Sequence, residues 1–171
     1  MNDVGDPSGE STLQTWLAQC EEAGVSADDL LRLDNQLCFA VYALSREITR
    51  LYRPELERLG LTYPQYLVML LLWETDGLIV RALGDRLYLD SGTLTPLLKR
   101  LEQAGFVSRH RASGDERQVQ IFLTERGKAL RRDALCMPMT LATGGQWTQA
   151  EYSHLLGEFQ GLLKRVHASA Q

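Results

Sequence analysis

Residues 82–127, ALGDRLYLDSGTLTPLLKRLEQAGFVSRHRASGDERQVQIFLTERG, hold the pattern that decides the fold. Residues 78–87 read as a short helix, Tyr88, Leu89 and Asp90 as a tight break, and residues 91–104 as a second helix capped by Asp90 and stopped by Gly105. Two β-rich runs follow, residues 106–111 and 118–123, around a charged, turn-forming tip at residues 112–117. Two helices joined by a short turn and followed directly by a hairpin make a winged helix-turn-helix, in which the second helix enters a major groove and the wing reaches the adjacent backbone or minor groove. That second helix opens with Ser91, Gly92, Thr93, Thr95 and Pro96 and carries Lys99 and Arg100 one turn on. Small residues at a helix start let backbone N–H groups approach phosphates or base edges, where the positive end of the helix dipole also favours anions. Leu94, Leu97, Leu98 and Leu101 form its inward face. At the hairpin tip, Arg117 beside Asp115 suits a narrow, electronegative minor groove.

Outside this stretch the pattern is helical. Residues 11–23 place Leu13, Trp16, Leu17 and Cys20 on one face after a ten-residue tail. Asp34 stands as the cap of a long helix to about Leu59, closed by Gly60, and Thr62 as the cap of the next. The run 66–73 is apolar nearly all round and reads as the central core helix. Downstream, Thr124 caps a helix to about Leu141, residues 142–147 form a loop, and Thr148 with Glu151 makes a capping box for a last helix to about His167. The fold expected is mainly α with a small β-hairpin wing.

The chain has 171 residues, 44% of them hydrophobic and 23% charged, which suits one ordinary globular unit. Its longest apolar run is far short of the roughly 20 residues that span a bilayer, and its start is acidic rather than basic then apolar, so a cytoplasmic protein without a membrane partner is expected. The net charge of −4 conceals a split. Residues 81–133 carry 11 Lys/Arg against 7 Asp/Glu, while the remainder carries 7 against 15. Polyanion binding depends on the local field within ~8 Å at physiological ionic strength, so the basic middle remains a candidate for double-stranded DNA. Cys20, Cys38 and Cys136 are odd in number and lack metal-ligand spacing, which argues for reduced thiols and against a zinc cage or disulfide framework. No P-loop, dinucleotide fingerprint or metal cluster appears, and His110, His154 and His167 lie away from Cys38 in sequence, so neither an enzyme nor a cofactor is expected.

Residues 82–127, with the DER at 115–117 and the LTERG at 123–127, resemble the winged-helix core of the MarR family of bacterial transcription regulators. Residues 33–77, LDNQLCFAVYALSREITRLYRPELERLGLTYPQYLVMLLLWETDG, resemble its organic-hydroperoxide-sensing OhrR branch more narrowly. The resemblance covers residues 33 to about 132, and implies a homodimer joined by its first and last helices and bound to a pseudo-palindromic operator as a repressor. It divides the chain into an extension (1–30), a first dimerisation helix (31–62), the DNA-binding domain (63–124) and carboxy-terminal dimerisation helices (125–171). Residues 91–100 would read the major groove and Arg117 the minor groove. The resemblance also implies that Cys38 is oxidised to a sulfenic acid by organic hydroperoxides and that Tyr52 and Tyr63 hydrogen-bond its sulfur.

Fourteen residues at ~1.5 Å rise place Cys38 and Tyr52 of one helix about 21 Å apart along its axis, so contact between them needs a second subunit. In members that form an intersubunit disulfide the resolving thiol would fall near Thr143, which is not a cysteine. Cys136, two helical turns earlier, either resolves Cys38 or stays inert, and the sequence leaves both open; Cys20 is a weaker candidate. A competing reading is a repressor of the same family released by a small aromatic or lipophilic ligand, with Cys38 structural.

Overall fold

A computed structural model describes the backbone of residues 7–112 and 115–169 and the side chains of residues 11–26, 28–111 and 118–169. The chain divides into two compact units, residues 1–47 and 48–171. In the first, α1 (Pro7–Glu22) begins four residues before the expected Ser11. It closes on Gly24, whose φ of 74° lets the Val25 N–H turn back to the Cys20 carbonyl. Then α2 (Ala27–Leu30) starts at a capping box between Ser26 and Asp29, absent from the sequence reading. Asp34 does not cap the long helix. It lies in a 3₁₀ turn, Leu33–Asn35, tied to α2 by Asn35 Nδ2 donating to the Asp29 carbonyl and Gln36 Nε2 to that of Leu30. These bonds hold the turn in place, and α3 (Leu37–Leu59) starts only after it.

In the second unit α4 (Tyr63–Glu74) begins at the expected Thr62, with Gln65 Oε1 accepting from both the Thr62 N–H and its hydroxyl. Residues 78–79 correct the sequence reading: they form strand β1 (Leu78–Ile79), not helix, paired antiparallel with Ile121 and Gln120. The run Leu78-Ile79-Val80 suits either state by apolarity, and a two-residue strand is too short to show a period. Helix α5 (Val80–Leu87) ends at Tyr88, left-handed at φ 56°, and α6 (Ser91–Gln103) follows. Strands β2 (Val107–Ala112) and β3 (Asp115–Leu123) form the wing, with the sheet order β1-β3-β2 and a register shift between Arg111 and Ala112.

The helix expected from Thr124 to Leu141 is broken. Helix α7 (Glu125–Asp133) passes through a 3₁₀ turn, Ala134–Cys136, into α8 (Met137–Gly144), because Pro138 has no N–H to continue the ladder. Helix α9 (Gln149–Ser169) starts at the Thr148–Glu151 capping box. Val68, Met69, Leu72, Leu83, Leu94, Leu98, Leu101, Ile121 and Met137 are fully buried, so α4 to α6, the sheet and the start of α8 share one core. Among the described residues, no helix is long and apolar enough to cross a membrane.

Thr124 joins wing and helix. Its hydroxyl donates to the Gly105 carbonyl at 2.7 Å and accepts the Gly127 N–H at 3.1 Å. Thr124→Val keeps the shape and removes both bonds, so a loss of about 1–2 kcal/mol is expected in urea denaturation; an unchanged midpoint would remove this junction from the account.

Candidate nucleic-acid interface and thiol sites

The start of α6 is built by its cap. Asp90 Oδ1 accepts the Thr93 N–H at 2.8 Å and Oδ2 the Thr93 hydroxyl at 2.9 Å. These bonds, the backbone one foremost, hold the Asp90 carboxyl below its ordinary range, so the cap is charged at neutral pH and is lost as pH falls through that lowered value. The Thr95 hydroxyl donates to the Ser91 carbonyl at 2.7 Å. Both hydroxyl protons are therefore spent inside the helix, which leaves Thr93 and Thr95 with oxygen lone pairs and methyl groups. Ser91, Gly92, Thr93, Pro96, Lys99 and Arg100 are exposed, Thr95 is half-buried, and Leu94, Leu98 and Leu101 face the core, with Leu97 half-buried.

Gly84 lets α5 approach the turn before α6: a Cβ there would stand 2.7 Å from the Leu89 carbonyl oxygen. The two helices are thus locked at backbone distance, which fixes the presentation of residues 91–100. A cleft of about 750 Å³ opens between α5, the start of α6 and β3, lined in part by Arg81, Asp85, Ser91 and Gln118. The backbone of Asp115 and Arg117 lies in β3, but their side chains, and hence the minor-groove reading of Arg117, fall outside the described residues.

Tyr52 of α3 and Tyr63 of α4 are brought together. Their rings stack at 5.7 Å between centroids and 18° between planes, and Tyr66 and Trp73 continue the row at 6.4 and 6.3 Å. Burial, the largest cause, raises the pKa of Tyr52, Tyr63 and Tyr66, with neighbouring tyrosines adding to it. All three phenols are therefore neutral O–H donors at any physiological pH. Tyr66 carries no signal in the sequence that separates it from the apolar run around it.

The three thiols differ. Cys20 is half-buried on α1. Cys38 is exposed in the first turn of α3, among exposed Leu37, Val41, Tyr42 and Leu44. It is closer to the helix start than an Asp34 cap would have put it. Cys136 ends the 3₁₀ turn before α8, half-buried, with Arg58 Nη2 3.4 Å from its sulfur. On α9, Leu156, Phe159, Leu163 and Val166 are also exposed. Among the described residues, no group of His, Cys, Asp and Glu could hold a metal.

Residues 50–133 match the family model described as Transcriptional regulator SarA/Rot. The organic hydroperoxide resistance transcriptional regulator of Bacillus subtilis is 48% identical over 139 residues, 81% of this chain and 95% of that protein. The chain belongs to the MarR/SarA-type transcriptional regulators. Within that family it is also 51% identical over 143 residues to the HTH-type transcriptional regulator TtmR of Methylorubrum extorquens, covering 84% of this chain and 73% of that protein. Among solved structures, reduced AbfR bound to DNA superposes with a TM-score of 0.72 at 36% identity, over 85% of this MarR/SarA-type chain and all of that one. AbfR with its disulfide formed superposes at 0.55 and 37% identity, over 80% and 96%. These relatives are regulators of transcription, in keeping with a chain that carries a winged helix and no catalytic constellation in its sequence.

Proposed function

We propose that this regulator binds double-stranded DNA as a homodimer, with residues 91–100 in the major groove and Arg117 at the minor groove, and releases it when an organic hydroperoxide oxidises Cys38. The observation that carries the reading is the Cys38 thiol itself, free and open to an incoming peroxide in the first turn of α3. The similarity to a regulator named for organic hydroperoxide resistance, and to a protein solved reduced on DNA and in a disulfide form, supports it. The exposed apolar stretches of α3 and α9 supply surface for a second copy.

In the proposed step the thiolate sulfur attacks the terminal peroxide oxygen, the O–O bond breaks as the S–O bond forms, and the alkoxide leaves as the alcohol after taking a proton. In this reading the sulfur's hydrogen-bond donors, Tyr52 and Tyr63, come from the second copy, in keeping with the ~21 Å of helix between Cys38 and Tyr52 of one chain. The sulfenic acid then condenses with a thiol, either a small one or Cys136, expelling water. Release of DNA follows from a strained dimer packing that changes the spacing of the two recognition helices, not from a contact between sulfur and DNA.

Mass spectrometry of protein treated with cumene hydroperoxide in the presence of dimedone tests the step: the adduct is expected on Cys38, in step with loss of DNA. Tyr52→Phe and Tyr63→Phe each remove one donor and are expected to slow adduct formation about tenfold, the worth of one hydrogen bond to a charged group. Wild-type rates in both variants would remove the tyrosines from the site. A non-reducing gel of the wild type and Cys136→Ser separates the fates of the sulfenic acid: a covalent dimer that the variant loses means Cys136, and a monomer band in the wild type a small-thiol cap.

A further inference from the structure

Tyr88 closes α5 with φ 56° and ψ 39°, a left-handed conformation that glycine adopts freely and a bulky side chain seldom does. A residue keeps such a conformation where its surroundings over-determine it. The backbone does part of this, since the Tyr88 and Leu89 N–H groups both donate to the Gly84 carbonyl. Glycine at position 88 would make the same bond with less strain, so the turn alone does not account for a tyrosine. Its side chain has a distant partner. The Tyr88 ring, about half exposed, meets the His167 ring edge-on, with 4.8 Å between centroids and 81° between planes. His167 stands in the last turn of α9, a helix with no buried residue, so a ring contact at that end weighs heavily in where the end sits. Two residues after Tyr88, Asp90 caps α6. The ring pair therefore connects the helix that exposes Leu156, Phe159, Leu163 and Val166 with the turn that carries α6.

We propose that Tyr88 and His167 are positioning residues for DNA binding: their ring contact ties the turn before α6 to the end of α9, and so sets the separation of the two recognition helices in a dimer. The inference rests on the reading of this chain as a homodimer with α6 in the major groove. Such a dimer needs its two α6 helices at one separation, because moving a half-site by one base pair shifts it on the order of 3.4 Å along the duplex and about 34° around it. Without the ring pair, the turn and α6 have more freedom to follow a displaced half-site and more order to gain on binding the native one. Tyr88 and His167 thus raise affinity at one spacing and lower tolerance of others, without touching the DNA.

The test uses the full chain in anisotropy titrations on DNA from upstream of its own gene, and on two duplexes with the half-sites moved apart or together by one base pair. His167→Ala and Tyr88→Gly are each expected to weaken binding to the native duplex roughly tenfold, as for an aromatic pair lost from both subunits, and to narrow the gap between native and shifted duplexes by a similar factor. The double variant is expected to bind no more weakly than either alone, since both changes break one contact. Tyr88→Phe and His167→Phe keep a ring pair and are expected to stay within about threefold of the wild type. Glycine takes the left-handed conformation without strain, so Tyr88→Gly is expected to leave the urea midpoint no lower while affinity falls, an opposition that a merely structural role would not produce. Wild-type affinity and spacing preference in His167→Ala and Tyr88→Gly, additive losses in the double variant, or Tyr88→Phe as weak as Tyr88→Gly would overturn the proposal. Lys99→Ala/Arg100→Ala, titrated alongside, separates that failure from a deeper one. If it loses DNA while the ring variants do not, only the positioning role falls; if it too binds as the wild type does, the reading of α6 falls as well.

Discussion

Lys99→Ala combined with Arg100→Ala is expected to weaken DNA binding on the order of 30-fold at physiological salt and to flatten the dependence of log affinity on log salt by about 2. Both side chains are exposed on α6, one turn beyond a start that the Asp90 cap and the Thr95–Ser91 bond hold in place. Their removal leaves Leu94, Leu98 and Leu101 in the core, so α6 stays packed and the loss belongs to the interface. If Arg100 reads a base edge, its single variant also relaxes sequence preference, whereas a phosphate contact weakens all sequences alike. Anisotropy titrations on one operator and one unrelated duplex across several salt concentrations separate the two. An unchanged affinity and slope would mean that α6 is not the DNA-facing helix.

Gly127→Ala is expected to cost about 3 kcal/mol, the upper range for forcing atoms into a packed site. An added Cβ there would overlap the Phe106 carbonyl oxygen and press on Leu123 Cδ2 at 3.2 Å. Neither neighbour yields cheaply. The Phe106 carbonyl is already held by the Thr124 N–H, and the Gly127 carbonyl accepts the Trp73 indole N–H at 2.9 Å, so a shift propagates into α4 and the wing together. Gly157→Ala is the contrast. A Cβ at Gly157 meets nothing within 4 Å, and the change sits inside α9, so a gain of about 0.5–1 kcal/mol is expected. Urea denaturation of both variants checks the pair, and equal midpoints would contradict the packing described for the wing junction.

The helix-turn-helix, the wing, the cap at Thr62 and the capping box at Thr148 were legible because each rests on local chemistry: a cap residue, a stop glycine, an apolar period. What escaped the sequence depends on distant partners. Leu78 and Ile79 become a strand only because Ile121 and Gln120 offer an edge, and Asp34 loses its capping role to a turn held by Asn35 and Gln36. The break at residues 134–136 has its cause in Pro138, whose missing N–H interrupts the ladder to the preceding turn. Tyr52 stacks on Tyr63, a contact that nothing in their spacing required. Arg58 and Glu55 at Cys136 had no sequence signal, since the contact joins residues on either side of the winged-helix region.

The most direct test of the account is fluorescence anisotropy of the wild type and Cys38→Ser on DNA from upstream of the protein's own gene, each reduced and after a stoichiometric dose of cumene hydroperoxide. Serine in place of an exposed thiol leaves the fold and the reduced-state affinity intact, so the two proteins start alike. The expected result is at least a tenfold loss of affinity for the treated wild type and none for treated Cys38→Ser. Equal loss in both proteins, or no loss in either, would contradict the account and take Cys38 out of the control of DNA binding.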